Sequence, residues 1–433
     1  MSVMVAFRNL SRVFGGRGKR NINMFFMGPP DSGKTVFWTM LGLAGTNPGY
    51  IEFYEPDDIL NVARGRMPIP GVLPYGKSQK ILDAFKEKIL SQNEWPDKTL
   101  IHVKHRIDMH IGRFIIVKKI NDGEEFYQMK KLGGTFQIAP IDIPGDFVEF
   151  LDNAFDNKVF PIDPIDIKKL YDSIRNVLRE MIKKPENFIS SSESETKSQV
   201  KDTSSASAND ESKAQIEKRG LFRGKKKPYE VETQTNKPAD PTEIGMAAEY
   251  LHEMIENPPK TLIITLRAKS TGRWGNATIG VTSRVIPRLL YAMTRNCREP
   301  INVAILLTAA VFDEFIEEEY VTRLVEDSIR LEEYQEVLRE KFSEFRRKAG
   351  GLINPLVYPK IEKIRFIGLY PYDACIDLQR DIDPKTGNVI FKPKLTDENK
   401  LRSFGILTFI YNIMNVIQGS EPLIPPEIWY DSY

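Results

Sequence analysis

Cysteine is almost missing from this chain: 433 residues contain two, Cys297 and Cys375. Two thiols in no metal-binding spacing exclude a disulfide framework and a cysteine-based zinc site, and they suit a reducing compartment. Histidine is nearly as scarce, with four in the sequence. His102, His105 and His110 look like a ligand cluster, but strand alternation puts His105 on the face opposite the other two, so they read as solvated strand residues. An excess of one charge is also lacking. Charged residues make up 28% and nearly balance, with a formal net charge of +2, so no global field selects nucleic acid or a membrane as partner. No apolar run reaches the length a bilayer demands, and the first twenty residues, with Arg8, Arg12, Arg17, Lys19 and Arg20 scattered among short apolar patches, lack the apolar core of a signal peptide. No internal repeat is present. The expectation is a soluble, cytoplasmic protein long enough for a large core.

Against this background one segment stands out. Residues 28–35 read Gly28-Pro29-Pro30-Asp31-Ser32-Gly33-Lys34-Thr35 and fit the phosphate-binding pattern G-x-x-x-x-G-K-[ST]. Ile22, Met24, Phe25, Phe26 and Met27 form an apolar strand leading in; Val36, Phe37, Met40 and Leu41 lie on a helix leading out. Glycine allows the backbone to curl around a polyphosphate, so that successive N–H groups and the positive end of the helix meet its charge. Lys34 would reach the β- and γ-phosphates, and the Thr35 hydroxyl would ligate Mg²⁺.

The order of elements downstream predicts the architecture. Residues 45–98 are rich in Pro and Gly and read as loops with one helix near Ile81–Leu90. Strict alternation from Leu100 to Ile111, an apolar run over Arg113–Ile120, a turn at Asn121-Asp122-Gly123 and a further run over Thr135–Ile141 predict strands that include a hairpin. Strands over 261–266, 301–307 and 364–370 alternate with helices over 284–296, 314–348 and 401–417, the last preceded by the capping residues Thr396 and Asp397. This is the pattern of an α/β, doubly wound, mostly parallel sheet with one antiparallel edge hairpin. A large, partly disordered insertion interrupts it. The low-complexity stretch at about 190–240 cannot bury enough apolar surface to offset its ordering entropy, and helices around Ile167–Met181 and after Asp240-Pro241 flank it. Its basic cluster, Lys218-Arg219 through Lys225-Lys226-Lys227, reads as solvated tail, with contact to RNA or to an acidic lipid surface the functional alternative. The chain accordingly divides into an N-terminal extension (1–20), a first sheet segment (21–155), the helical insertion (156–259) and a second sheet segment (260–433).

Thr135–Ile141 runs into Asp142-Ile143-Pro144-Gly145, a D-x-x-G sequence. A carboxylate at a strand end can hold Mg²⁺, and a glycine lets its N–H approach a γ-phosphate. With the phosphate loop and the strand–helix order, these residues make the chain resemble the Ras-like and translation-factor-like class of P-loop GTPases over residues 20–155 and 260–420. The resemblance implies GTP and Mg²⁺ as ligands, Thr35, Thr99 and Asp142 as metal ligands, and Lys34, Thr99 and Gly145 as the groups that respond to the γ-phosphate. Thr99 stands just before the Leu100 strand, where the family places a threonine that closes onto the metal.

Where the family reads guanine with [NT]-K-x-D, this chain has Thr308-Ala309-Ala310-Val311-Phe312-Asp313: the lysine is absent and Asp313 is displaced. The further base contact is represented by Asp373-Ala374, with Ala374 at the contact position. ATP is therefore the alternative ligand. The residue after Gly145 is Asp146, an acid that repels the charge developing on a γ-phosphate, so the expected activity is slow hydrolysis by a conformational switch, the alternative being a nucleotide-holding scaffold with little turnover. Arg273, in the loop after the 261–266 strand, is a weak candidate for an arginine finger in cis. A protein partner is expected at the switch loops or the insertion.

Overall fold

The computed structural model describes residues 21–30, 32–46, 69–74, 77–96, 105–106, 109–121, 124–143, 145–156, 183, 251–268, 275–294, 297–317, 319–320, 331–357, 363–374, 378–382, 389–394, 403–418, 424 and 426–430. Thr99, Asp31, Pro144, Lys269, Arg273, the N-terminal extension and nearly all of the insertion lie outside them.

Among the described residues an eight-stranded sheet organises the chain, in the order β2-β4-β5-β1-β6-β7-β8, with the two-residue β3 (His105–Arg106) also paired to β5. Strands β5 (Glu124–Asp142), β1 (Asn21–Met27), β6 (Thr261–Arg267), β7 (Ile301–Thr308) and β8 (Ile364–Pro371) run parallel. β4 (Met109–Asn121) is antiparallel to β5, and β2 (Ile69–Pro74) is antiparallel to β4. The expected mixed α/β sheet is thus present. β6, β7 and β8 are near-continuous apolar runs, buried almost throughout, as parallel strands covered on both faces must be.

Helices α1 (Lys34–Thr46), α2 (Lys77–Ser91), α3 (Gly145–Asp156), α4 (Gly275–Thr294), α5 (Leu331–Lys348), α6 (Gly350–Val357) and α7 (Ile406–Gln418) complete the fold with a short 3₁₀ turn at Pro426–Trp429. An aromatic cluster anchors α1 beneath the sheet's central strand. Phe26 of β1 meets Trp38 at 4.2 Å between ring centroids, and Phe37 meets Tyr372 at 5.0 Å and Phe409 of α7 at 5.4 Å. Edge-to-face pairs of this kind contribute about 0.5–1.5 kcal/mol each beyond area burial, and here they fix the helix that carries Lys34.

Several elements depart from the sequence reading. The end of the first run, from Met109, and the second run form one strand, β4, with a bulge between Gly112 and Phe114, while His105–Arg106 is the separate β3; the hairpin partner β5 extends over 19 residues rather than starting at Thr135. The expected helix does not begin at Glu314, because Glu314 adopts a left-handed conformation (φ 58°) inside a turn; Glu319 and Tyr320 are helical, residues 321–330 lie outside the described residues, and α5 covers Leu331–Lys348. β2 lies within the segment read as loop, and its Pro70 and Pro74 are tolerated because it is an edge strand. A separate hairpin, β9 (Leu378–Ile382) with β10 (Val389–Pro393), was not anticipated. Among the described residues no helix is long and apolar enough to cross a membrane.

Candidate functional site

Parallel strands deliver their C-terminal ends to one edge of the sheet, and the loop after β1 emerges there between β5 and β6. Ser32 N–H donates to the Pro29 carbonyl (3.4 Å), closing the curl, and Phe37 N–H donates to Gly33 O (2.9 Å), starting α1. Gly33 has φ +79°, a conformation that L side chains rarely adopt, and a Cβ there would press on the Thr308 side chain. Local shape and tertiary packing therefore both require the second glycine of the pattern.

Lys34 turns back into this curl. The residue is 7% exposed, and its ammonium donates to Gly28 O (2.9 Å), Ser32 Oγ (3.2 Å) and Pro29 O (3.3 Å). Two of these acceptors are backbone carbonyls of the loop itself and the third is the hydroxyl of Ser32. A buried cation held inside the loop, next to the first turn of a helix, is an arrangement suited to an anion of high charge density.

Two threonines fasten the curl to the sheet. Thr308, the last residue of β7, donates its hydroxyl to Ser32 O (2.7 Å), and Thr265 of β6 shares a hydrogen bond with Ser32 Oγ (3.1 Å) while lying 3.3 Å from Met27 O. Thr265 was not singled out in the sequence. The signal was there: a hydroxyl near the C-terminal end of an otherwise apolar, fully buried strand needs a polar partner.

The D-x-x-G turn reaches the same place. Asp142 stands in register with Phe26, Ile143 N–H donates to Phe26 O (2.9 Å), and a Cβ on Gly145 would run into the Pro29–Pro30 backbone. Loop 28–33 and the start of α3 are thus in direct contact. α3 is tied onward to α4 by a bidentate pair in which the Arg284 guanidinium donates to both Asp152 carboxylate oxygens, the Nε–Oδ1 distance being 2.8 Å.

The candidate base residues gather further along the same edge. Asp313, with its side chain 3% exposed, accepts from Arg267 Nε (3.1 Å) and Nη2 (3.4 Å). Asp373 is also inward: its Oδ2 accepts the N–H groups of Val311 (2.8 Å) and Phe312 (3.0 Å), joining the loop after β7 to the loop after β8, where Ala374 is buried. Thr35 opens α1 and is half-buried. Thr99 and Asp31 fall outside the described residues.

No protein-family model matches the sequence, and no curated protein matches it. Among solved structures the chain is similar to the S. cerevisiae Ski7 GTPase-like domain bound to GDP and inorganic phosphate, at 10% identity and a TM-score of 0.26. The same domain bound to GTP matches at 10% identity and a TM-score of 0.27. Each match covers 81% of this chain and 43% of the other, so this chain spans less than half the length of those it resembles.

Proposed function

We propose that this protein binds a nucleoside triphosphate with Mg²⁺ in the loop Gly28–Thr35, hydrolyses it slowly, and uses the γ-phosphate to set the position of α3. The observation that carries the reading is the buried Lys34 ammonium inside a curl of backbone at a helix start. A triphosphate in the curl would bring charged oxygens to the Lys34 ammonium and to the loop N–H groups, adding ion-pair attraction to charge-assisted hydrogen bonds.

The metal fits the donor set. Mg²⁺ prefers oxygen ligands, keeps several waters and takes few groups from protein when phosphates supply the rest. The Thr35 hydroxyl and the Asp142 carboxylate are donors of this type, on segments flanking the loop; Thr99 would be the third. Slow turnover is expected because Asp146, directly after Gly145, adds negative charge where negative charge develops. Contact between Gly145 and Pro29–Pro30 gives a direct route from phosphate to α3, which would present the bound state to a protein partner. We assign that role to a cytoplasmic protein.

Single-turnover release of inorganic phosphate in Mg²⁺ tests the hydrolytic part. Wild type should release phosphate slowly but measurably faster than Lys34→Ala. Equal rates in the two, with nucleotide retained by wild type, would replace the switch with a nucleotide-holding scaffold.

A further inference from the structure

The base end of the site departs from a guanine reader in a way that suggests its own ligand rule. Counted from Thr308, the positions where [NT]-K-x-D carries lysine and aspartate hold Ala309 and Val311, neither able to hydrogen-bond a base edge through its side chain. The next carboxylate along the chain, Asp313, is sequestered: its side chain is 3% exposed and both its oxygens face Arg267, while the Asp373 carboxylate is engaged by the Val311 and Phe312 N–H groups. What this edge does present is an aromatic ring. Phe312 is 45% exposed, one of three large apolar side chains so exposed among the described residues, and the Arg267 guanidinium lies against it with Cζ 5.6 Å from the ring centroid.

The turn that carries the ring leaves the sheet at the strand end that bonds the phosphate loop. Arg267 is the register partner of Thr308, whose hydroxyl bonds the loop at Ser32 O, and the Phe312 turn begins at the next residue. That turn is firmly held. Ala309 (φ 53°) and Glu314 (φ 58°) are both left-handed, Asp313 N–H donates to Ala309 O (2.8 Å), Phe315 N–H donates to Ala310 O (2.8 Å), and Asp373 binds the Val311 and Phe312 N–H groups. A buried carboxylate thus holds a guanidinium, the guanidinium lies against a ring, and the ring stays partly exposed on a pre-organised loop.

We infer that the base of the bound nucleotide stacks on Phe312, and that this platform accepts adenine and guanine alike. Stacking is tolerant of base identity because every base has a π-face, whereas selection of guanine needs a reachable acceptor, which Asp313 is not. The inference rests on the triphosphate reading above and adds the base specificity to it.

Calorimetric titration of the full-length protein with GTP, ATP and inorganic tripolyphosphate, each with Mg²⁺, tests it in wild type, Phe312→Ala and Phe312→Trp. GTP and ATP should bind wild type within about tenfold of one another, and Phe312→Ala should weaken both by roughly 5- to 100-fold, the range of a lost base–aromatic stack. Phe312→Trp should keep both, and tripolyphosphate should bind all three proteins equally. A guanine preference above about a hundredfold, nucleotide binding unchanged in Phe312→Ala, or tripolyphosphate weakened as much as the nucleotides would each overturn the platform. Wild type that binds none of the three ligands would instead overturn the triphosphate reading itself.

Discussion

Thr308 shows how one hydroxyl couples a sheet to a loop. Its hydroxyl oxygen lies 2.7 Å from Ser32 O and 3.2 Å from Leu266 O, so the single proton goes to the shorter bond, the one to the loop. Its side chain also fills the space that the missing Cβ of Gly33 leaves. Thr308→Val keeps the shape, removes the proton and strands a buried carbonyl, a change that costs about 1–3 kcal/mol. Thermal melting should fall for Thr308→Val and be largely restored in Thr308→Ser; a melting temperature equal to wild type in the valine variant would contradict the coupling. At this scale the sequence was informative about which residues form the loop, because G-x-x-x-x-G-K-[ST] is a local pattern with a local cause. It was silent about the threonine fasteners and about the Arg267 that occupies Asp313, since those partners come from other strands, 276 and 46 residues away.

Among the elements, α3 joins the D-x-x-G turn to the rest of the fold, through Gly145 at its start and the Asp152–Arg284 pair on its flank. Arg284 keeps 44% of its side chain exposed while Asp152 keeps 9%. Water can therefore take over the guanidinium when its partner is removed, and the pair should behave as a surface ion pair, with a loss of about 1 kcal/mol, rather than as a buried one, with a loss of about 3–5 kcal/mol. Denaturant unfolding of Asp152→Ala distinguishes these, and the larger loss would mean that α3 is more rigidly anchored than a moving element can be. Element type was readable wherever hydrophobic periodicity was sustained: β1, β6, β7, β8 and α7 follow from their apolar patterns. Boundaries failed where a tertiary contact decided them. The turn at 309–314 breaks a run of charged residues that reads as helix, because the carboxylate of Asp373, from another strand end, holds its N–H groups. β2 went unread because prolines suppress the strand signal at the one kind of position, a sheet edge, where a strand accepts them.

Across the described residues, one sheet edge carries the loop after β1, the D-x-x-G turn after β5 and the turn that holds Phe312 after β7. The insertion between α3 and β6 is expected to be dispensable for nucleotide binding, since a low-complexity tether builds no site and loop entropy grows only slowly with length. Binding of triphosphate through Lys34 is the central claim, and isothermal titration of wild type and Lys34→Ala with GTP–Mg²⁺ and ATP–Mg²⁺ measures it most directly, with a chain lacking Ser191–Lys237 as the check on the insertion. Saturable, one-site binding in wild type and in the deletion, lost in a Lys34→Ala protein that melts like wild type, is the predicted result. Wild type that gives no heat with either nucleotide, or a Lys34→Ala variant that binds as tightly as wild type, would contradict it.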